Sequence, residues 1–336
     1  MSIKVAINGF GRIGRGFLRA ALTHGTDLEV VAVNDLTDAA TLAHLLSYDS
    51  TMGRLNAEVE VDGDSLVIDG RKIAVYAERE PGKLPWGELG IDVVVESTGI
   101  FTDGKKAAVH LEAGARKVLI SAPASNEDIT LAYGINHAKY DPANHHVVSN
   151  ASCTTNCLAP LAKVLHDGLG VEHGLMTTVH AYTQDQNLQD GPHKDPRRAR
   201  SAAINVVPTS TGAAKAIGLV LPELNGRLAG LSLRVPVPVG SLTDLSVYLS
   251  RPTTVEEING LFAEAAAGPL AGVLRYTDAP LVSSDIVGDP ASCIFDSKLT
   301  TVTGDGRHAK VFGWYDNESG FSHRLIDVAR LLGAEA

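Results

Sequence analysis

The sequence has few cysteines, no long apolar run and a shortage of positive charge, and each lack removes a class of protein. Three cysteines in 336 residues, an odd number in a chain of this length, make no disulfide framework and point to the reducing cytoplasm. No stretch approaches the roughly 20 apolar residues that a membrane-crossing helix needs. Residues 1–7 pass into a strand without the long apolar segment of a signal peptide. Lys and Arg number 29 against 39 Asp and Glu, a net charge of −10. Phosphate backbones and anionic lipids select basic surfaces, so a dedicated nucleic-acid or membrane role is not expected. There is no internal repeat and no low-complexity segment. What is present, 44 % hydrophobic and 20 % charged residues, is ordinary for a globular protein long enough for two domains.

Ile3 to Ile7 reads as a buried strand. It ends in Asn8-Gly9-Phe10-Gly11-Arg12-Ile13-Gly14-Arg15, and Phe17, Leu18 and Ala21 continue at helical spacing. Gly9, Gly11 and Gly14 match the dinucleotide fingerprint, in which glycines let the backbone approach a pyrophosphate at a helix N-terminus. The match gains force from its place between a strand and a helix, and from Asp35 at the end of the second strand, Leu28 to Val33. An acid there accepts from ribose hydroxyls and repels a 2′-phosphate, which predicts NAD over NADP. The ordinary alternative is a glycine-rich turn beside a solvated aspartate.

Glu58 to Ala77 alternates apolar and polar residues around Asp62-Gly63 and Asp69-Gly70, the pattern of short antiparallel strands with tight turns. Strands over Ile91 to Val95, Lys117 to Ile120 and Val147 to Val148 follow, with a helix over Asp103 to Ala113. From about Asn150 the pattern changes to a helix, a strand around Leu175 to Val179, and a polar stretch from Ala181 to Asn205. A loop that long is functional or a subunit contact. A helix opened by Thr209-Ser210-Thr211-Gly212, strands within Leu228 to Leu249, a helix after Thr253-Thr254 and strands up to Trp314 complete an α+β half. The last helix, Glu318 to Leu332, carries Phe321, Leu325, Val328 and Leu332 on one side and is expected to pack on the first domain.

The most informative chemistry is Asn150-Ala151-Ser152-Cys153-Thr154-Thr155-Asn156-Cys157. Leu158, Leu161, Ala162 and Leu165 recur at helical spacing up to Gly168, so the helix starts near Cys153 with Ser152 as its cap. Pro160 is expected to kink this helix without stopping it. Unpaired N–H groups and the positive end of the helix dipole favour an anion, which predicts a lowered thiol pKa. The competing reading is a small buried hydrophobe. His180 ends the next strand, and a cysteine beside a histidine gives a nucleophile with a proton acceptor. Arg234 stands alone in an apolar strand, where charge is costly unless it meets an anion or a carboxylate. The cluster His193-Lys194-Asp195-Pro196-Arg197-Arg198-Ala199-Arg200 is ordinarily a solvated or salt-bridged face; a second phosphate site is the alternative. Cys157 reads as a buried inert thiol, with an oxidised pair to Cys153 as the alternative, and Cys293 as structural. No metal site is indicated.

Four runs, Asn8 to Arg15, Ala151 to Asn156, His180-Ala181-Tyr182-Thr183 and Trp314-Tyr315-Asp316-Asn317-Glu318, closely resemble the phosphorylating glyceraldehyde-3-phosphate dehydrogenases of the NAD-using type, from end to end of the chain. The resemblance implies a Rossmann-type doubly wound nucleotide-binding domain over residues 1–151, completed by a C-terminal helix over 316–336. It also implies a catalytic α+β domain over 152–315 with a mixed, largely antiparallel sheet. Glyceraldehyde 3-phosphate would be oxidised and phosphorylated, with NAD and inorganic phosphate, through a thiohemiacetal and a thioester on Cys153, and His180 would take the proton. Thr183 and Arg234 would hold the substrate phosphate; Ser152, Thr154, Arg198, Thr211 and Gly212 the attacking phosphate. Arg12, Ile13, Asp35, Arg79 and Ser121 match cofactor positions, and Asn317 would hold the nicotinamide carboxamide. A homotetramer is implied, with the long loop reaching a neighbour. The nearest rivals are an erythrose-4-phosphate dehydrogenase and an NAD-binding redox sensor without turnover.

Overall fold

The computed structural model describes residues 2–23 and 27–334. Met1, Glu335 and Ala336, which the expected domain bounds include, lie outside them. The described residues divide into two compact units, those within 1–133, 137–151 and 322–336, and those within 134–136 and 152–321.

The first unit is built on a sheet whose middle strand, Ile3–Asn8, pairs in parallel with Leu28–Asn34 on one side and Val93–Glu96 on the other. Lys117–Ile120, Val147–Ser149 and Ile129–Thr130 extend it beyond Val93–Glu96, all in parallel. On the other flank Arg71–Tyr76 runs parallel to Leu28–Asn34 and turns back through Ser65–Ile68 and Val59–Val61 as an antiparallel meander. Val5, Ile7, Val93, Val94, Val95 and Leu119 are completely buried, as expected of parallel strands covered on both faces. Connections leave the middle strand in opposite directions, which opens a crevice at the strands' carboxyl ends. There the register sets Asn8 beside both Asn34 and Glu96.

The stretch expected as one helix over Asp103 to Ala113 is two single turns, Gly104–Ala107 and Val109–Glu112. Bonds from Lys106 N–H to Asp103 O (2.9 Å) and Leu111 N–H to Ala108 O (2.9 Å) tighten each turn toward 3₁₀ spacing and break the α register at Ala108. The last helix, Ser319–Ala334, buries Phe321, Leu325, Val328 and Leu332 as the spacing predicts. Its residues from Ser322 onward belong to the first unit: Arg330 Nε donates to Asp27 at 2.9 Å, and Gly333 lies too close to Ile3 for a side chain.

In the second unit the strand order is Val207–Ser210, Leu228–Val235, Val171–Ala181, Ser241–Leu249, His308–Tyr315, Cys293–Asp296 and Leu274–Thr277, with Thr301–Thr303 paired onto His308–Tyr315. Two of these pairings are parallel and the rest antiparallel. Ser241–Leu249 alternates buried and half-buried residues, so one face is packed, and the helix Cys153–Leu169 lies on it. That helix runs through Pro160 to Leu169, and Cys157 and Cys293 are buried free thiols. Thr209 and Ser210, expected to open a helix, close the edge strand instead; the helix Ala213–Val220 starts after Gly212 with no side-chain cap. Their side chains alternate against Leu231 and Ser232 across the ladder, so strand pairing outcompetes capping.

Candidate active site

Ser152 is the N-cap: its Oγ accepts from Thr155 N–H at 3.0 Å, with extended backbone at φ −114°. Ala151 just before it is left-handed at φ 56°, unusual for a residue with a Cβ, and turns the chain sharply from strand to helix. Cys153 thereby becomes the first helical residue, half-buried. His180 is the penultimate residue of Val171–Ala181, and the parallel register sets it beside Arg234. The sulfur and His180 Nε2 are 3.4 Å apart, so two residues 27 positions apart in the chain are brought into hydrogen-bond contact.

The tautomer of His180 follows from its other nitrogen, which donates to Ala181 O at 2.7 Å. Nε2 therefore presents its lone pair to the sulfur. Arg234 Nη1, 3.3 Å from Nδ1, is then a neighbouring donor; it donates to Thr183 Oγ1 at 2.6 Å. Among the described residues Arg234 Nε, buried, has no hydrogen-bond partner. A guanidinium with an uncommitted donor beside the hydroxyl of Thr183 suits an oxyanion.

Burial pushes the Cys153 thiol up to about 11, against the pull of Arg234 and of the Thr154 side chain and backbone. Burial and then the Arg234 charge bring His180 down to about 3. This corrects the expectation of a lowered thiol pKa. The helix terminus is in place, but desolvation of the sulfur outweighs it, and the pair is favoured as neutral thiol and neutral imidazole. Such a pair ionises as the sulfur attacks, the proton passing along S–H···Nε2.

Other expected residues fall in three groups. Around the helix start, Thr154 turns its hydroxyl inward to Tyr315 Oη at 2.8 Å, and Tyr315 Oη also meets Thr178 Oγ1 at 2.7 Å. Asn317 Oδ1 accepts from Gly240 N–H (3.1 Å) and Ser241 Oγ (3.0 Å), which leaves its Nδ2 as the outward donor. On the polar loop, Arg198 donates through Nε to Thr209 Oγ1 at 2.8 Å and through Nη1 to Asp185 at 2.5 Å, and Asp185 also takes the Thr183 hydroxyl. Asp185 thus links Thr183 to Arg198, the two expected anion sites. Thr211 Oγ1 accepts from Ala213 N–H at 3.2 Å, and a Cβ on Gly212 would meet nothing within 4 Å.

The third group lies in the first unit. A Cβ on Gly11 would meet nothing within 4 Å, whereas one on Gly14 would lie 2.2 Å from Gly9 O. This leaves open space at the start of the helix Arg12–Thr23, the shape a pyrophosphate needs. Asp35 accepts from Phe10 N–H (2.9 Å) and Thr37 N–H (3.0 Å), holding the glycine turn while retaining lone pairs for a ribose. Arg12 is tied to Asp49 at 2.5 Å and to Thr51 at 2.9 Å. Arg79 is exposed, Ile13 and Ser121 half-buried, and Ser121 N–H donates to Glu96 O at 2.9 Å. The residues present fit a bound dinucleotide.

Sequence reasoning gave no role to Tyr315, Asp185 or Glu96. Tyr315 lay within a quoted run; Asp185 and Glu96 carry no motif, and only the fold sets them among their partners.

A doubly wound nucleotide-binding unit and, in the other unit, a thiol–imidazole pair beside an arginine define the class of dinucleotide-using proteins with a nucleophilic cysteine. The sequence profile described as "Glyceraldehyde 3-phosphate dehydrogenase, NAD binding domain" matches residues 3–104, and that of the same family's C-terminal domain matches residues 152–317. "Glyceraldehyde-3-phosphate dehydrogenase" of Kitasatospora aureofaciens is 66 % identical over 331 residues, 98 % of this chain and 99 % of that protein. "Glyceraldehyde-3-phosphate dehydrogenase 1" of Streptomyces avermitilis is 63 % identical over 333 residues, and a Mycobacterium bovis protein of the same name without the numeral is 63 % identical over 339; each comparison covers 99 % of both chains. The chain belongs to the glyceraldehyde 3-phosphate dehydrogenase family, and its cofactor is NAD.

Proposed function

We propose that the chain catalyses the oxidative phosphorylation of D-glyceraldehyde 3-phosphate to 1,3-bisphosphoglycerate, with NAD and inorganic phosphate. The observation that carries this reading is the 3.4 Å contact between Cys153 Sγ and a lone pair of His180 Nε2, with Arg234 alongside. Sulfur attacks the aldehyde carbon, its proton passes through Nε2 to the carbonyl oxygen, and a thiohemiacetal forms on Cys153; Nε2 then takes that hydroxyl proton as the carbon gives up its hydride. NAD supplies the hydride acceptor for the oxidation. The resulting thioester keeps the acyl group reactive, and inorganic phosphate attacks its carbonyl. The C–S bond breaks, and His180 returns a proton to the departing sulfur.

Arg234 and Thr183 are assigned to the substrate phosphate, and Ser152, Thr154, Arg198, Thr211 and Gly212 to the attacking phosphate. Thr154 would contribute its backbone N–H, since its hydroxyl is held by Tyr315. Gly9, Gly11, Arg12, Ile13, Gly14, Asp35, Arg79 and Ser121 are assigned to the dinucleotide, with Asn317 Nδ2 for its carboxamide. Residues 1–151 with the C-terminal helix are assigned as the NAD domain and 152–315 as the catalytic domain. A homotetramer in the cytoplasm completes the proposal. The free thiols agree with that compartment, and Leu188, Ile204 and Val206, exposed on or beside the polar loop, support a subunit contact.

The test is reduction of NAD with glyceraldehyde 3-phosphate, with and without inorganic phosphate. Sustained turnover is expected only with phosphate, and Cys153→Ser should abolish it while still binding NAD. Full turnover in the serine variant would remove the covalent mechanism.

A further inference from the structure

Behind the glycine turn, a buried carboxylate that the reaction does not use collects four hydrogen bonds. Glu96 is 2 % exposed and ends the strand Val93–Glu96. Its Oε2 accepts from Asn8 Nδ2 at 2.6 Å and lies 3.0 Å from His110 Nε2. Its Oε1 accepts from Thr98 N–H at 2.9 Å and from the Thr98 hydroxyl. Trp86 Nε1, which can only donate, lies 3.0 Å from His110 Nδ1, so that nitrogen is the acceptor and Nε2 carries the hydrogen toward Glu96. Asn8 Oδ1 accepts from Asn34 Nδ2 at 2.7 Å, and Asn34 Oδ1 accepts from Glu78 N–H at 2.8 Å. The donors of Asn8 and His110 are thus fixed by their far ends, and Thr98 N–H by the backbone.

This hub lies where the strand ends carry the cofactor turn. Asn8 is followed by Gly9, whose φ is +92° and whose missing Cβ would lie 2.6 Å from Thr98 N. Ser97 Oγ donates to Gly9 O at 2.6 Å, and Gly9 N–H donates to Asn34 O at 2.8 Å. The glycine turn and residues 97–98 are therefore packed backbone to backbone, and Glu96 holds the second against the first. Three N–H donors, on Asn8, His110 and the Thr98 backbone, aim at its two oxygens, so both must be able to accept. Glutamine in either orientation turns an N–H₂ toward Thr98 N–H or toward His110 Nε2–H, neither of which can reverse.

We propose that Glu96 is a positioning residue for the dinucleotide: as an acceptor-only hub for Asn8, Thr98 and the Trp86–His110 pair, it presets the glycine turn before NAD arrives. The proposal rests on NAD being this unit's cofactor, which titration of the wild-type protein tests separately. In Glu96→Gln the Kd for NAD, followed by calorimetry, should rise about tenfold, the effect of losing about one buried hydrogen bond. KM for NAD should rise with it, while KM for glyceraldehyde 3-phosphate and the rate of Cys153 alkylation in NAD-free protein stay within about twofold. A lowered melting point with an unchanged Kd for NAD would make Glu96 a core residue only and overturn the proposal. If the variant does not fold, amide exchange in wild-type, NAD-free protein decides. Thr98 N–H should be as protected as the strand Val93–Glu96, and fast exchange there would show that the turn is not preset.

Discussion

At the residue scale, the unusual feature is that both reacting groups are pushed toward neutrality. His180 in the folded protein stays neutral down to about 3, whereas in the unfolded chain it takes up a proton near its ordinary value of about 6.5. The unfolded state binds more protons between these limits, so the stability present above about 6.5 is lost as pH falls toward about 3. His180→Asn removes this component. Denaturant midpoints of wild type and variant should therefore converge or cross as pH goes from 7 to 4, and a constant difference would contradict the burial argument. The same variant should react more slowly with iodoacetamide, because the sulfur loses the imidazole that takes its proton as it attacks.

At the element scale, the helix Cys153–Leu169 works through its first turn. Ser152→Ala removes the bond to Thr155 N–H and should cost about 1 kcal/mol of stability, measurable by urea unfolding. It should also slow Cys153 alkylation, because the frayed turn no longer holds the sulfur against His180. Alkylation at the wild-type rate would mean that Ala151 and the packed helix hold the turn without the cap. The helix and its cap were legible in the sequence, since capping and the apolar period are local properties. So were the glycine turn and Asp35, whose spacing follows from a strand-helix-strand unit. The break at Ala108 was not legible, because it arises from competition between i to i+3 and i to i+4 bonds. Nor was the placing of Thr209 and Ser210 in a strand, which depends on Leu231 and Ser232 arriving from elsewhere in the chain.

At the scale of the whole molecule, the polar loop between Ala181 and Val207 holds itself by its own bonds, among them Gly191 N–H to Ala199 O at 2.9 Å and Arg200 to Asp190 at 2.7 Å. It nevertheless leaves Leu188 and Ile204 more than three-quarters exposed. In the proposed assembly these side chains lie in the subunit contact. Sedimentation should give a species of four times 35.3 kDa, and Leu188→Asp with Ile204→Asp should shift it to smaller species. A monomer for the wild type at micromolar concentration would sink the assembly proposal. Among the described residues no helix is long and apolar enough to cross a membrane.

Short-range pattern along the chain carries the nucleotide fold, the capped cysteine, the cofactor turn and, through four runs of residues, the family. Tertiary structure decided everything that depends on distance across the chain. It brought His180 to the sulfur, set Arg234 beside it, turned Thr154 inward, and gathered Asn8, Thr98 and His110 around Glu96. It also reversed the expected direction of the thiol's pKa. A helix terminus acts on its own first residue and can be read locally, but the cost of desolvating a charge is set by atoms that folding brings in from remote parts of the sequence.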